Sequence, residues 1–275
     1  MAYREDRFCY GQNGKYIEHE IKWAGKYGAK GEKRAPKKKA TPEQIRRQNQ
    51  WNKEKLVLRL IRANFHRGDL WITLKFPKGT RMKGKELKEI RKDFLLELRK
   101  AYRKRGGELK YICRLEIGKR GGPHIHMIIN ALPGQPGTAD MIQEIWEKYG
   151  KYLYFTPLYE DGDFKQLAAY ITKPLEKEQI EGQLTLFGDE EDRKIFSAYS
   201  HSKNLILPEQ ETHRYKRRTV RKLVQEGPKP APGYYIDRDS IRSGVNPYTG
   251  MSYYYYTEIR LREGPEEDWK EGGGG

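Results

Sequence analysis

Arg114-Leu115-Glu116-Ile117-Gly118-Lys119-Arg120-Gly121-Gly122-Pro123-His124-Ile125-His126 is the stretch on which both fold and chemistry turn. In Leu109–Ile117 the apolar Leu109, Tyr111, Cys113, Leu115 and Ile117 alternate with Lys110, Arg114 and Glu116, the period of two of a strand with one buried face. After the glycines, Ile125, Met127 and Ile129 continue the apolar face and leave His124, His126 and Ile128 on the other. A hairpin symmetric about Arg120 sets Glu116 across from His124 and Arg114 across from His126, with Cβ atoms of such neighbours about 4.5–5.5 Å apart. Two imidazoles and a carboxylate then converge on one face, a three-ligand metal site with positions left open for water or phosphate. The donor set suits Mn²⁺ or Mg²⁺, although Zn²⁺ should bind at least as tightly. A single histidine there would be an ordinary polar residue. Three ligands matched in parity, in a chain with only six histidines, point to a metal site.

On the N-terminal side of this hairpin, Leu70–Phe76 reads as a strand ending at Pro77, and Leu87, Ile90, Phe94, Leu98 and Tyr102 recur at helical steps up to Gly106-Gly107. On its C-terminal side, residues 138–149 read as a helix, Tyr152–Pro157 as a strand and Phe164–Thr172 as a helix closed by Pro174. Residues 182–194 read as a polar loop, with a strand within 197–206. Further upstream, Thr41-Pro42-Glu43-Gln44 carries helix-start chemistry, and that helix runs to about Asn64. Three domains are expected: a basic arm and helix over 1–67, a compact unit over 68–208, and a basic, Tyr-rich extension with a disordered tail over 209–275. In that extension Tyr234-Tyr235 and Tyr253–Tyr256 read foremost as strand formers, with base stacking as the second reading.

The charge narrows the partner. Lys and Arg total 55 against 38 acids, a formal net charge of +17. Such a surplus favours polyanions, because each phosphate neutralised releases counterions. Residues 26–55 alone hold eleven Lys or Arg against three Glu, and read as a mobile basic arm leading into the helix. No apolar run approaches the roughly 18 residues that span a bilayer. The N-terminus lacks a signal-like stretch, and Cys9 and Cys113 form no disulfide or metal pattern. A soluble, cytoplasmic protein is expected.

His124-Ile125-His126 resembles the metal motif of the HUH endonuclease superfamily, and Glu116 stands where those proteins often carry a third ligand. Leu70–Pro77 looks like their first motif. Tyr170-Ile171-Thr172-Lys173 looks like the nucleophile motif of single-tyrosine rolling-circle replication initiators of plasmid or phage type. Ser200-His201-Ser202-Lys203-Asn204-Leu205 is similar, more weakly, to a late element of Rep proteins. Together these cover about half the chain. The resemblance implies an α+β fold: a five-stranded antiparallel sheet with helices on one face and the metal on the other. The segments read above agree with it.

The chemistry implied is metal-dependent transesterification, in which Tyr170 attacks single-stranded origin DNA and leaves a 5′-phosphotyrosine and a free 3′-hydroxyl. Gln166, Tyr170 and Lys173 fall at i, i+4 and i+7 of one predicted helix, so Lys173 stands ready to favour the phenolate of a tyrosine whose ordinary pKa is about 10. Tyr154 and Tyr199 are the rival nucleophiles. Candidate DNA contacts are Arg114, Lys119, Arg120, Gln166, Lys203, Arg217 and Arg218, with the basic arm and the 214–222 cluster gripping duplex or hairpin DNA. The implied partners are single-stranded or stem-loop origin DNA, a host helicase and a polymerase, with no membrane. The competing readings are a non-catalytic origin-binding protein, a relaxase or transposase of the same chemistry, and a metal-dependent RNA-processing enzyme.

Overall fold

The computed structural model describes residues 3–25, 33–118, 120–159, 164–175, 190–215 and 220–261. The chain divides into two units, one of Gln44–Leu207 and one of Met1–Glu43 with Pro208–Gly275.

The first unit is built on the antiparallel strands β3 (Leu70–Lys75), β4 (Tyr111–Ile117), β5 (Pro123–Ile129), β6 (Tyr152–Pro157) and β7 (Tyr199–His201), in the spatial order β6-β3-β5-β4-β7. Period-two patterning sorts its side chains. Leu70, Ile72, Leu74, Tyr111, Cys113, Leu115, Ile117, Ile125, Met127 and Ile129 fill one face. They pack against Leu87, Phe94, Leu98 and Tyr102 of helix α2 (Gly84–Lys104), and against Met141, Ile142, Ile145 and Trp146 of α3 (Thr138–Trp146). Phe196 of α5 (Glu190–Ser197) closes this layer.

On the opposite face Ile112 and Ile128 meet Val57, Leu60 and Ile61 of α1 (Pro42–Asn64) and Ala168 and Ile171 of α4 (Lys165–Thr172). The α+β class with a central five-stranded antiparallel sheet therefore holds. The helices, however, cover both faces rather than one, because α1 and α4 each bury an apolar stripe on the polar side of the sheet.

The second unit holds another five-stranded antiparallel sheet, in the order β8-β1-β2-β10-β9. Its strands are β1 (Tyr3–Tyr10), β2 (Tyr16–Trp23), β8 (Gln210–Tyr215), β9 (Tyr234–Asn246) and β10 (Met251–Arg260), and helix α6 (Arg221–Glu226) lies between β8 and β9 in sequence. Tyr3, Ile21, Val220, Met251, Tyr254 and Tyr256 form its core.

The expected boundaries differ from this division. Residues 3–23 are no arm but two strands at the heart of the terminal sheet. The sequence hid them because buried Asp6, Glu18 and Glu20 interrupt the apolar alternation, and Arg4 and Lys22 neutralise Asp6 at 3.3 and 2.7 Å. Helix α1 lies in the Gln44–Leu207 unit from its third residue on. The described part of the basic arm is also tied down: Ala35 N donates to Gly250 O, Lys38 N to Pro247 O, and Arg34 Nε to Thr249 O. Gly250 (φ +65°) allows this approach, since a Cβ there would stand 2.1 Å from Ala35 O. The expected polar loop over 182–194 contains the start of α5, where Glu190, Glu191 and Asp192 occupy the first turn that favours acids. The strand expected within 197–206 shortens to β7.

Candidate active site on the polar face of the sheet

The hairpin register is the one its parity demands: Glu116 pairs with His124 and Arg114 with His126. Next to it, β3 sets Lys75 beside His124 and Thr73 beside His126. The turn closes through Gly118 N to Gly122 O (2.9 Å) and Gly121 N to Gly118 O (2.7 Å). Gly118 is needed for a second reason: a Cβ there would lie 2.9 Å from His124 Cε1.

Helix α4 brings Tyr170 onto this face from far along the chain. The Tyr170 hydroxyl donates to Glu116 Oε2 at 2.7 Å and lies 3.1 Å from His126 Nε2. Glu116 Oε2 is itself 3.3 Å from His126 Nε2. Lys173 Nζ donates to Glu116 Oε1 at 2.8 Å and sits 4.6 Å from the centre of the Tyr170 ring. His124 and His126 stand side by side with ring centres 6.0 Å apart.

Electrostatics fix the protonation states. Burial alone would raise the Glu116 pKa, but hydrogen bonds from His126, Lys173 and Tyr170 outweigh it and hold this carboxyl well below the usual carboxylate range. Tyr170 moves the other way: burial first, then the hydrogen bond to Glu116 and its negative charge, push the phenol well above its ordinary value. Burial, followed by the neighbouring His126 and Lys75, lowers the pKa of His124 and keeps that imidazole neutral. The expectation that Lys173 favours the phenolate needs correcting on this point, because Glu116 takes up the ammonium and adds a stronger opposing effect. Lys173 also lies just beyond the helix, as its C-cap residue (φ −50°, ψ 138°).

Arg114 is placed differently from the DNA contact expected of it. It is 1% exposed, and its Nη1 donates to the carbonyls of Ile171 (2.9 Å), Lys173 (2.6 Å) and Tyr170 (3.4 Å). The guanidinium thus satisfies the orphan carbonyls at the end of α4 and locks the helix that carries Tyr170. From α1, Gln50 Nε2 donates to Thr172 O (3.0 Å) and supports the same end. Gln166 and Arg120 are exposed. Lys203 is exposed in a separate cleft with Arg99, Arg103 and His201. Lys119, Arg217 and Arg218 lie outside the described residues. Of the rivals, Tyr199 is half-buried beside Lys53, and Tyr154 is exposed on β6.

Two members of the site escaped the sequence reading. Trp71 stacks on His126 (5.6 Å, 10°) and meets Tyr170 edge-on (5.7 Å, 89°). Thr73 Oγ1 lies 3.1 Å from His126 Nδ1, a bond that fixes the imidazole orientation and directs Nε2 toward Tyr170. Parity carried the signal for both. Leu70, Ile72 and Leu74 are core, so Trp71, Thr73 and Lys75 must share the histidine face.

Among the described residues, no three His, Cys, Asp or Glu side chains stand together as a group able to hold a metal ion. No described helix is long and apolar enough to cross a membrane. No curated protein and no solved structure matches the chain. Residues 69–179, which contain every member of the Tyr170 cluster, match the family model for replication-associated proteins of the ORF2 class, so the region that carries the site is similar to a DNA replication protein.

Proposed function

We propose that this protein starts rolling-circle replication by nicking single-stranded origin DNA with Tyr170. The observation that carries the reading is the convergence of the Tyr170 hydroxyl on Glu116 and His126 at 2.7 and 3.1 Å, from a helix 54 and 44 residues away in sequence. A tyrosine placed only for packing has no need of two polar partners on a strand hairpin. In the reaction the phenolic oxygen bonds to phosphorus, the bond from phosphorus to the 3′-oxygen breaks, and that oxygen leaves as a hydroxyl after taking a proton from water. Glu116 accepts the phenolic proton along the existing hydrogen bond. Lys173 keeps a positive charge beside the attacking oxygen and the phosphate. Trp71 and Thr73 hold His126 in place, and Arg114 holds the tyrosine helix.

Neutral His124 and His126 with anionic Glu116 form a donor set that fits a divalent cation such as Mn²⁺ or Mg²⁺. Such an ion would supply Lewis-acid polarisation of the scissile phosphate. For Glu116 to join that set it must release Tyr170 or Lys173, and releasing Tyr170 frees the hydroxyl for attack. The test is cleavage of a labelled single-stranded oligonucleotide by the full-length protein with Mn²⁺, with and without a chelator. Cleavage that stops with chelator and leaves protein attached to the 5′ end of the product is expected. DNA binding without any cleavage would favour a non-catalytic origin-binding protein.

A further inference from the structure

The edge of the sheet beside the histidines carries an arrangement that the cleavage chemistry does not use. Strand β6 pairs with β3 in the register Lys75–Tyr152 and Thr73–Tyr154. Strand β3 pairs in turn with β5 as Lys75–His124 and Thr73–His126. Residues directly across a ladder share a face. Tyr152 therefore lies in the row of His124, and Tyr154 in the row of His126, each two strands away and about 9–10 Å from the histidine backbone. The rings are 41% and 57% exposed. Each has an ammonium over its face: Lys151 Nζ lies 5.6 Å from the centre of Tyr152, and Lys75 Nζ 4.7 Å from that of Tyr154. Lys75 also contributes to the lowered pKa of His124, so one lysine links the tyrosine edge to the histidine row.

Two exposed aromatic rings on an edge strand are a liability unless something covers them. An aromatic face flanked by an ammonium suits a flat π system carrying a negative charge close by, which is an unpaired nucleobase with its phosphate. A duplex buries its base faces and presents none along its length. The spacing also favours a single strand. Tyr152 and Tyr154 are two residues apart, roughly 6.6 Å along a strand. That is about twice the 3.4 Å advance per nucleotide of a duplex strand, so neighbouring bases seated on the two rings are splayed apart.

The geometry points to Tyr152 and Tyr154, with Lys151 and Lys75, as a stacking edge that holds two unpaired nucleotides next to the scissile phosphate. This rests on the reading that the site cuts single-stranded DNA, and it adds that the flanking bases occupy the β6 side. Tyr154 is thereby a binding residue rather than a rival nucleophile.

The experiment measures fluorescence anisotropy of labelled oligo(dT), and of a blunt duplex of equal length, with the full-length protein carrying Tyr170→Phe so that no cleavage intervenes. Tyr152→Ala and Tyr154→Ala, added singly, should each lower single-strand affinity about tenfold, within the range typical of base stacking on an aromatic ring. The Phe variants should restore it, and duplex affinity should stay unchanged. The proposal is overturned if the Ala variants bind oligo(dT) as the parent does, if duplex binding falls equally, or if Phe fails to restore binding. With Tyr170 intact, the Ala variants should still form the covalent adduct at saturating DNA. A failure of stacking is thus read in affinity, and a failure of the cleavage reading in the adduct.

Discussion

Both sheets of this protein bury a histidine against a carboxylate, and the two arrangements are built from different parts of the fold. In the terminal sheet, His19 Nδ1 lies 2.7 Å from Glu5 and its Nε2 3.3 Å from Glu258, while its ring stacks on Tyr256 at 4.4 Å. Glu5 also accepts a hydrogen bond from Tyr215, and Glu258 one from Ala231 N. The side chains in this set stand on strands of one sheet and are matched to one another. In the other sheet, the His126–Glu116 pair is met by groups from outside the strands: Tyr170 on α4 and Lys173 beyond it. Closure is what separates a structural network from a reactive one. The first set is closed within its sheet. The second receives a nucleophilic side chain held in place by a separate helix, whose end is locked by Arg114.

Substitutions put that contrast at risk. Tyr170→Phe removes one oxygen and should reduce covalent adduct to background, at least a thousandfold, while thermal melting of the protein shows both units folded. His19→Ala should do the reverse. It leaves Glu5 and Glu258 buried without their shared partner, a loss of about 3 kcal/mol typical of a broken buried pair, read as a lower denaturant midpoint. The adduct on Tyr170 should persist at a temperature where the variant is still folded. If His19→Ala abolished the adduct in folded protein, the two networks would not be independent.

Much of the site was legible because strand parity is a strong signal. Glu116, His124 and His126 were placed on one face by counting residues, and the register agrees. The same count applied to Leu70–Lys75 would have found Trp71 and Thr73. What could not be read was Arg114. Its position on the polar face is plain, but only the approach of α4 turns it from a DNA contact into a helix cap. The terminal sheet was harder still. Strands β1 and β2 carry Arg4, Glu5, Asp6, Arg7, Glu18 and Glu20, and some of these pair across the ladder with residues more than 200 positions away, as Asp6 does with Thr212 Oγ1. A pattern made of inward-facing acids does not look apolar, so hydrophobic periodicity passes over it.

Two smaller effects follow from the same contrast. In the metal-free protein Glu116 has its pKa depressed by its partners, so it stabilises the fold fully above its unfolded pKa, about 4.3. That contribution is lost as pH falls through the lower folded value. Acid denaturation should therefore be less steep for Glu116→Gln than for the parent, and a parallel pair of curves would contradict the assignment. Smallest of all should be the effect of the arm. Replacing Lys37, Lys38 and Lys39 by Gln should reduce the slope of log affinity against log salt by about 0.7–0.9 for each phosphate no longer neutralised, with oligonucleotide cleavage intact. An unchanged slope would assign these lysines to solubility or to a protein partner.

The identity of the nucleophile is open to a single chemical measurement. Full-length protein is incubated with a single-stranded oligonucleotide and Mn²⁺, digested, and the peptide joined to nucleotide is identified by mass spectrometry. A 5′-phosphate ester on Tyr170 is expected, absent when Tyr170 is Phe. An adduct on Tyr154 or Tyr199, or efficient cleavage with no adduct at all, would show that Tyr170 does not attack the phosphate.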